Sequence, residues 1–242
     1  MNFNFFIPTN DQNDDGGRLI LAHDIFTSNG VTQFDINRCP VTFGRRTYAD
    51  IYCKVQVHQD VKCEIGHYCA IASDVRIMGS QSHRYDCVSV CFNEAFRNPY
   101  VPEGGLQTWA RQSNKRDIHI GSDVWIGDGA LIMPGANIGD GCVIGAKSVV
   151  TGNLLPYGIY GGIPARLIKY RFDSETISKL ITLKWWEFET SLLKENARLF
   201  YAAPNDEFFE KFNSYDDTHR DIKNLQYTKN MIIHPEYAQS AQ

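Results

Sequence analysis

The sequence predicts a mainly β fold: a parallel β-helix, interrupted by one long loop and followed by helices. Three observations predict it. Between Ile118 and Val150, the residues Ile120, Ile126, Ile132, Ile138, Ile144 and Val150 recur every six positions without a miss. Four residues after each stand Val124, Ala130, Ala136, Cys142, Ser148 and Leu154, and all but the last are small or compact. Glycine follows four of the aliphatic residues, at Gly121, Gly127, Gly139 and Gly145. A helix would place apolar residues about 3.6 positions apart, and a simple strand would alternate; a six-residue period fits neither. It marks a coil in which each hexad forms one short strand and its turn. Three such faces close a triangular prism with aliphatic side chains stacked along its axis.

At 242 residues the chain can bury a large core. Its net charge of −4 and the lack of clustered Lys and Arg argue against nucleic acid as a partner. Met1 to Pro8 carries aromatic residues but no basic region with an apolar run behind it, so no secretory signal is expected. No segment approaches the ~20 apolar residues of a transmembrane helix. The seven cysteines (Cys39, Cys53, Cys63, Cys69, Cys87, Cys91 and Cys142) form no CxxC pair, which speaks against a disulfide framework or zinc knuckle. Cys69 and Cys142 fall on compact hexad positions and read as core. A reducing, cytoplasmic setting fits this usage.

Taken in order, residues 1–40 show no repeat and are expected to form an arm or cap. Residues 41–170 form the β-helix. Val41 to Tyr48 is β-prone, Ile51 to Val61 alternates loosely, and the hexads begin at Ile65, Ile71 and Ile77. They stop for an excursion over residues 79–117, where Pro99 and Pro102 forbid a continuous helix. Loops of this length tend to carry function. The Gly and Pro residues of 156–164 then end the coil. Residues 171–213 change to helical spacing. Asp173 or Ser174 caps a helix running to the Trp185-Trp186 pair, a second spans Thr190 to Tyr201, and a third spans Asp206 to Phe212. These helices are expected to cover the open end of the coil, and residues 214–242 to form a polar tail.

Among the seven histidines, His83 alone sits where the repeat breaks off. A histidine on a loop held by a rigid scaffold suits general-base work near neutral pH. His67 and His119 are expected at the surface. Asp86 is either a carboxylate partner for His83 or a turn residue. Tyr85 and Trp109 in the excursion are candidates for acceptor contact, because aromatic faces stack on sugars and planar drugs and also anchor loops by burial. Trp125 either walls a site or packs between coils. His67, His83 and His119 are not spaced by whole coils of three hexads, so a shared zinc, and any other metal, is not expected.

The hexads, the His83 loop, the segment DVWIGDGALIMPGANIGDGCVIGAKSVVTGNLLPYGIYGGIPARLIKYRF and the following KWW together resemble the hexapeptide-repeat acyltransferases. The resemblance spans roughly residues 41–200 and points to the xenobiotic and saccharide O-acetyltransferase branch. It implies a left-handed β-helix, an exception to the right-handed crossover rule. It also implies a homotrimer with active sites between subunits, and acetyl-CoA as co-substrate. His83 matches the family's general base. Asp128 matches a coil position lining the pantetheine arm. Ala146 and Thr151 match positions contacting that arm and the nucleotide end, and Arg166 and Lys169 of PARLIK match residues meeting the CoA phosphates. Gly152 departs from relatives that carry a lysine after the threonine. The reaction implied is acetyl transfer to a hydroxyl of a saccharide, such as a cell-surface polysaccharide or its precursor. Inactivation of a chloramphenicol- or streptogramin-type antibiotic is the alternative. A catalytically dead trimeric scaffold is the non-enzyme alternative, against which His83 and PARLIK both argue.

Overall fold

The structure is a computed structural model that describes residues 2–5, 41–49, 53–58, 61–79, 88 and 116–221. The hexads fold as a left-handed parallel β-helix. Face one stacks Val41–Phe43, Cys63–Ile65, Ile118–Ile120, Asn137–Ile138 and Asn153–Leu154. Face two stacks Tyr48–Ala49, Ala70–Ile71, Trp125–Ile126, Val143–Ile144 and Gly158–Gly161, and face three stacks Lys54–His58, Arg76–Met78, Leu131–Ile132 and Val149–Val150. Two antiparallel strands join these parallel faces: Asn2–Phe5 against Lys54–His58, and Arg166–Tyr170 against Gly158–Gly161. Regular coils pair residues 18 apart, as Trp125 with Val143 and Leu131 with Val149. The excursion separates Cys63 from its partner Ile118, yet register is kept across the gap.

Alternation explains the core. Within each two- or three-residue strand the hexad aliphatic points inward, and Ile65, Ile71, Ile77, Ile120, Ile126, Ile132, Ile138 and Ile144 are all at most 1% exposed. The compact residues fill the corners between faces: Val124, Ala130, Ala136, Cys142 and Ser148 are also at most 1% exposed. The glycine after the aliphatic answers a different need. A Cβ at Gly44 would come within 2.5 Å of Gly66 backbone, and one at Gly66 within 2.5 Å of Gly121 backbone. Glycine there lets successive turns touch.

The three helices, α1 (Ser174–Leu183), α2 (Thr190–Glu195) and α3 (Asp206–Asn213), do not lie over the open end of the coil as expected. They pack along the corner between faces one and two. The coil's end is already closed by its own residues: Tyr160 and Ala165 join the core, and Leu155 N–H donates to the Tyr160 hydroxyl at 2.7 Å. The corner, by contrast, presents Tyr68 and Tyr157 at positive φ, and both rings join the helical core with Leu180, Phe188 and Phe212. Asp173 caps α1 by accepting from Thr176 N–H at 2.8 Å. The second helix is shorter than expected: it stops at Asn196, which bonds back to Leu192 O, and Ala197–Tyr201 continues as a 3₁₀ turn.

Two arginines fasten this segment. Arg45 is buried in the corner, pairs with Asp221 at 3.0 Å, donates to Trp186 O at 2.6 Å and also donates to Phe188 O. Arg171 donates to Asp123 at 2.9 Å and to Gly141 O at 2.8 Å, and lies over the rings of Tyr157 and Phe172. The described chain thus continues past Asn213 as a tied segment: residues 214–221, expected at the start of a tail, bring Tyr215 onto Phe188 and Asp221 onto Arg45. Among the described residues no helix is long and apolar enough to cross a membrane.

His67 corrects an expectation. It is 6% exposed rather than on the surface, because the helical segment and Arg45 cover its corner. Its Nδ1 accepts the Arg45 backbone N–H at 2.9 Å, which requires a bare Nδ1. Burial, then the Arg45 charge, lower its pKa from 6.5 to about 4. His119 does lie at the surface, 3.6 Å from Glu64 on face one.

Two predictions follow from this corner. Arg45→Met strands the Trp186 and Phe188 carbonyls and is expected to cost about 2–4 kcal/mol in urea unfolding; an unchanged midpoint would refute the clamp. His67 takes up its proton more readily when unfolded, so the stability tied to it is lost as pH falls from about 6.5 to about 4 and levels off below. The loss is on the order of 2–3 kcal/mol. His67→Asn, which keeps an acceptor but no titrating group, should flatten that part of the stability–pH curve relative to the parent protein.

Candidate functional site

The outward positions of face two form a single row. Strand register aligns Tyr48, Ala70, Trp125, Val143, Ile159 and Lys169, one per rung. Trp125 projects outward from this row and is 55% exposed, so it does not pack between coils. Lys169 stands three rungs above it, roughly 14 Å along the coil at ordinary strand spacing. Arg166, at the start of the same edge strand, faces Gly161 and is exposed, with its guanidinium donating to Ala165 O at 3.0 Å.

The chain then turns the corner between faces two and three. Here Asp128 and Ala146, both exposed, stack one coil apart, and Lys147 N–H donates to Asp128 O at 2.8 Å. Beside them Lys147 Nζ sits 2.7 Å from Asp128 Oδ2, and this hydrogen bond raises the Lys147 pKa. Lys147 had no place among the sequence candidates. Its signal was present, since 18 residues separate Gly129 from Lys147 and Asp128 from Ala146, one whole coil.

The structure therefore brings Trp125, Asp128, Ala146, Arg166 and Lys169 onto one face and its exit corner. It does not bring Thr151 there. Thr151 is exposed on the next corner, across the width of face three, at the rung where Met133 N–H donates to Val150 O at 3.0 Å. That is the corner from which the chain leaves the coil after Gly79. His83, Tyr85, Asp86 and Trp109 lie outside the described residues.

The described cysteines cannot carry an acyl group. Cys53, Cys63, Cys69 and Cys142 are all buried. Burial pushes the Cys69 thiol up to about 12 and the Cys142 thiol to about 11, so neither is a thiolate near neutral pH. His67 is buried and already an acceptor to Arg45, so it is not available as a base. Among the described residues no group of three potential ligands is placed to hold a metal ion.

Residues 117–152 match the family described as bacterial transferase hexapeptide, six repeats. The chain is 38% identical over 157 residues to a probable macrolide acetyltransferase of Lysinibacillus sphaericus, covering 64% of this chain and 86% of the relative. The chain belongs to the hexapeptide-repeat transferases. It is also 42% identical over 137 residues to a chloramphenicol acetyltransferase of Morganella morganii, covering 55% of this chain and 63% of that protein. It thus spans less than two thirds of the chloramphenicol acetyltransferases it matches. A shorter match, 40% identity over 68 residues, links 28% of the chain to 31% of a putative lipopolysaccharide biosynthesis O-acetyl transferase of Escherichia coli K12.

Proposed function

We propose that this hexapeptide-repeat transferase moves acetyl from acetyl-CoA to an acceptor hydroxyl, with His83 as general base. The observation that carries the proposal is the similarity running across most of a probable macrolide acetyltransferase. The exposed row on face two supports it. Arg166 and Lys169 offer two cations to the phosphates of the cofactor at the head of that row. Asp128 and Ala146 line the arm beside Trp125. An arrangement between subunits of a homotrimer lets corners of two prisms meet over one cofactor and brings the His83 loop to the same cleft. Tyr85, Asp86 and Trp109 belong to the acceptor side of it. Acetyl-CoA as donor suits a cytoplasmic enzyme.

In this mechanism His83 takes the hydroxyl proton as the oxygen attacks the thioester carbonyl. A backbone N–H of the coil steadies the oxyanion. Collapse of the tetrahedral species expels the CoA thiolate, which takes up the proton from the imidazolium, leaving the acetyl ester and CoA. Direct transfer accords with the burial of every described thiol. An antibiotic hydroxyl is the acceptor favoured by the similarity to a chloramphenicol acetyltransferase and a probable macrolide acetyltransferase. A saccharide hydroxyl is the second reading, favoured by the lipopolysaccharide-related match.

The test is CoA release from acetyl-CoA with chloramphenicol, a macrolide, a streptogramin and a panel of saccharides. Turnover of saccharides alone would remove the antibiotic reading, and turnover of antibiotics alone would remove the saccharide one. His83→Ala is expected to lower kcat by about 10²–10⁴-fold; a near-parental rate would dismiss it as the base. Replacing Arg166 and Lys169 together by Ser should raise the KM for acetyl-CoA and shrink its salt dependence, with kcat little changed.

A further inference from the structure

We infer that Lys147 is a positioning residue of the acetyl-CoA groove, holding the Asp128 carboxylate in place and offsetting its negative charge at that corner. The inference rests on the acetyl-CoA reading above. It begins with a column of three residues at the corner between faces two and three. Register stacks Asp74, Gly129 and Lys147 on successive coils, with φ of 58°, 62° and 59°. Asp74 and Lys147 adopt this left-handed conformation without being glycine, so backbone conformation alone does not demand a glycine between them. A side chain here would instead displace the flexible end of Lys147. A Cβ on Gly129 would lie 2.2 Å from Lys147 Nζ and 2.6 Å from its Cδ. The missing side chain is the channel through which Lys147 crosses to Asp128.

Lys147 consequently grips Asp128 at two points on two coils, backbone N–H to carbonyl at 2.8 Å and ammonium to carboxylate at 2.7 Å. Both side chains are half or more exposed, at 67% and 50%. A pair so open to solvent contributes little to stability. Its effect is on what the corner presents. Without Lys147, Asp128 and Asp74 would set two carboxylates beside the path of a polyanionic cofactor. With it, the formal charge of the three groups falls from −2 to −1, and Asp128 keeps one oxygen held at a fixed place. A carboxylate fixed in that way has further lone pairs with which to accept an amide N–H of the pantetheine arm.

The experiment compares the parent protein with Lys147→Met, Lys147→Arg and Gly129→Ala, measuring CoA binding by calorimetry and steady-state kinetics with acetyl-CoA. Lys147→Met should weaken CoA binding and raise the KM for acetyl-CoA by about five- to tenfold at low salt, less at high salt, with kcat within about twofold. Lys147→Arg should restore most of the binding. Gly129→Ala keeps both charges but displaces the lysine, and should reproduce the Met phenotype in part. Thermal unfolding of Lys147→Met should match the parent, which separates positioning from folding. If the parent binds CoA and Lys147→Met binds it equally well, the inference is overturned while the acetyl-CoA reading stands. If the parent shows no saturable CoA binding, the acetyl-CoA reading fails and this inference falls with it.

Discussion

Everything in this molecule depends on coils lying in contact at strand spacing along their whole length. Most rungs are only two or three residues wide, so a rung has no hydrophobic core of its own; burial comes from the rungs above and below. That constraint sets the residue types. An aliphatic side chain must point inward once per face, the corner must be filled by something compact, and where backbones meet, as at Gly44, Gly66 and Gly121, no Cβ fits. It also confines chemistry to what the coil leaves outside: alternate strand positions, corner residues, and whatever the chain inserts between coils.

The outside of the prism is divided accordingly. Face one presents Glu64, His119, Asn137 and Asn153, a polar row. Face two presents Tyr48, Trp125, Val143 and Ile159, leading to Lys169. The corner between them is covered by the helices, and its ionisable groups are structural. Asp123 has its carboxyl pushed up by burial and held back by Arg171, while His67 is held neutral beside Arg45. At the exit corner of face two, Asp128, Ala146 and Lys147 meet and are exposed among the described residues. The strongly perturbed groups therefore mark where helices meet the coil, and the proposed cofactor groove runs along exposed residues elsewhere.

Much of the coil was legible before any coordinates. The period of six fixes which residues face inward, and that inference needs no partner information: the ladder from Ile120 to Val150 and the core placement of Cys69 and Cys142 are local consequences of alternation. The cap of α1 at Asp173 was readable for the same reason, since an Asp side chain satisfies an N–H three residues on. The helix break at Asn196 was not, because nothing in the spacing of Thr190 to Tyr201 distinguishes a continuous helix from one finishing in a 3₁₀ turn.

For the candidate site, the sequence by itself determined the rungs. Trp125, Asp128 and Ala146 each occupy outward or corner positions that the hexad count assigns, whereas Arg166 and Lys169 lie past the hexads on the antiparallel strand Arg166–Tyr170. Only the tertiary structure decided which of them share a surface. It set Thr151 on a different corner and brought Lys147 across Gly129 to Asp128. It also laid the helices along the side of the prism instead of across its end, burying His67. The physical reason is that periodicity specifies whether a residue points in or out. Which neighbour it meets depends on corner geometry, on a glycine's empty volume, and on apolar rings such as Tyr68 and Tyr157 finding cover from residues far along the chain.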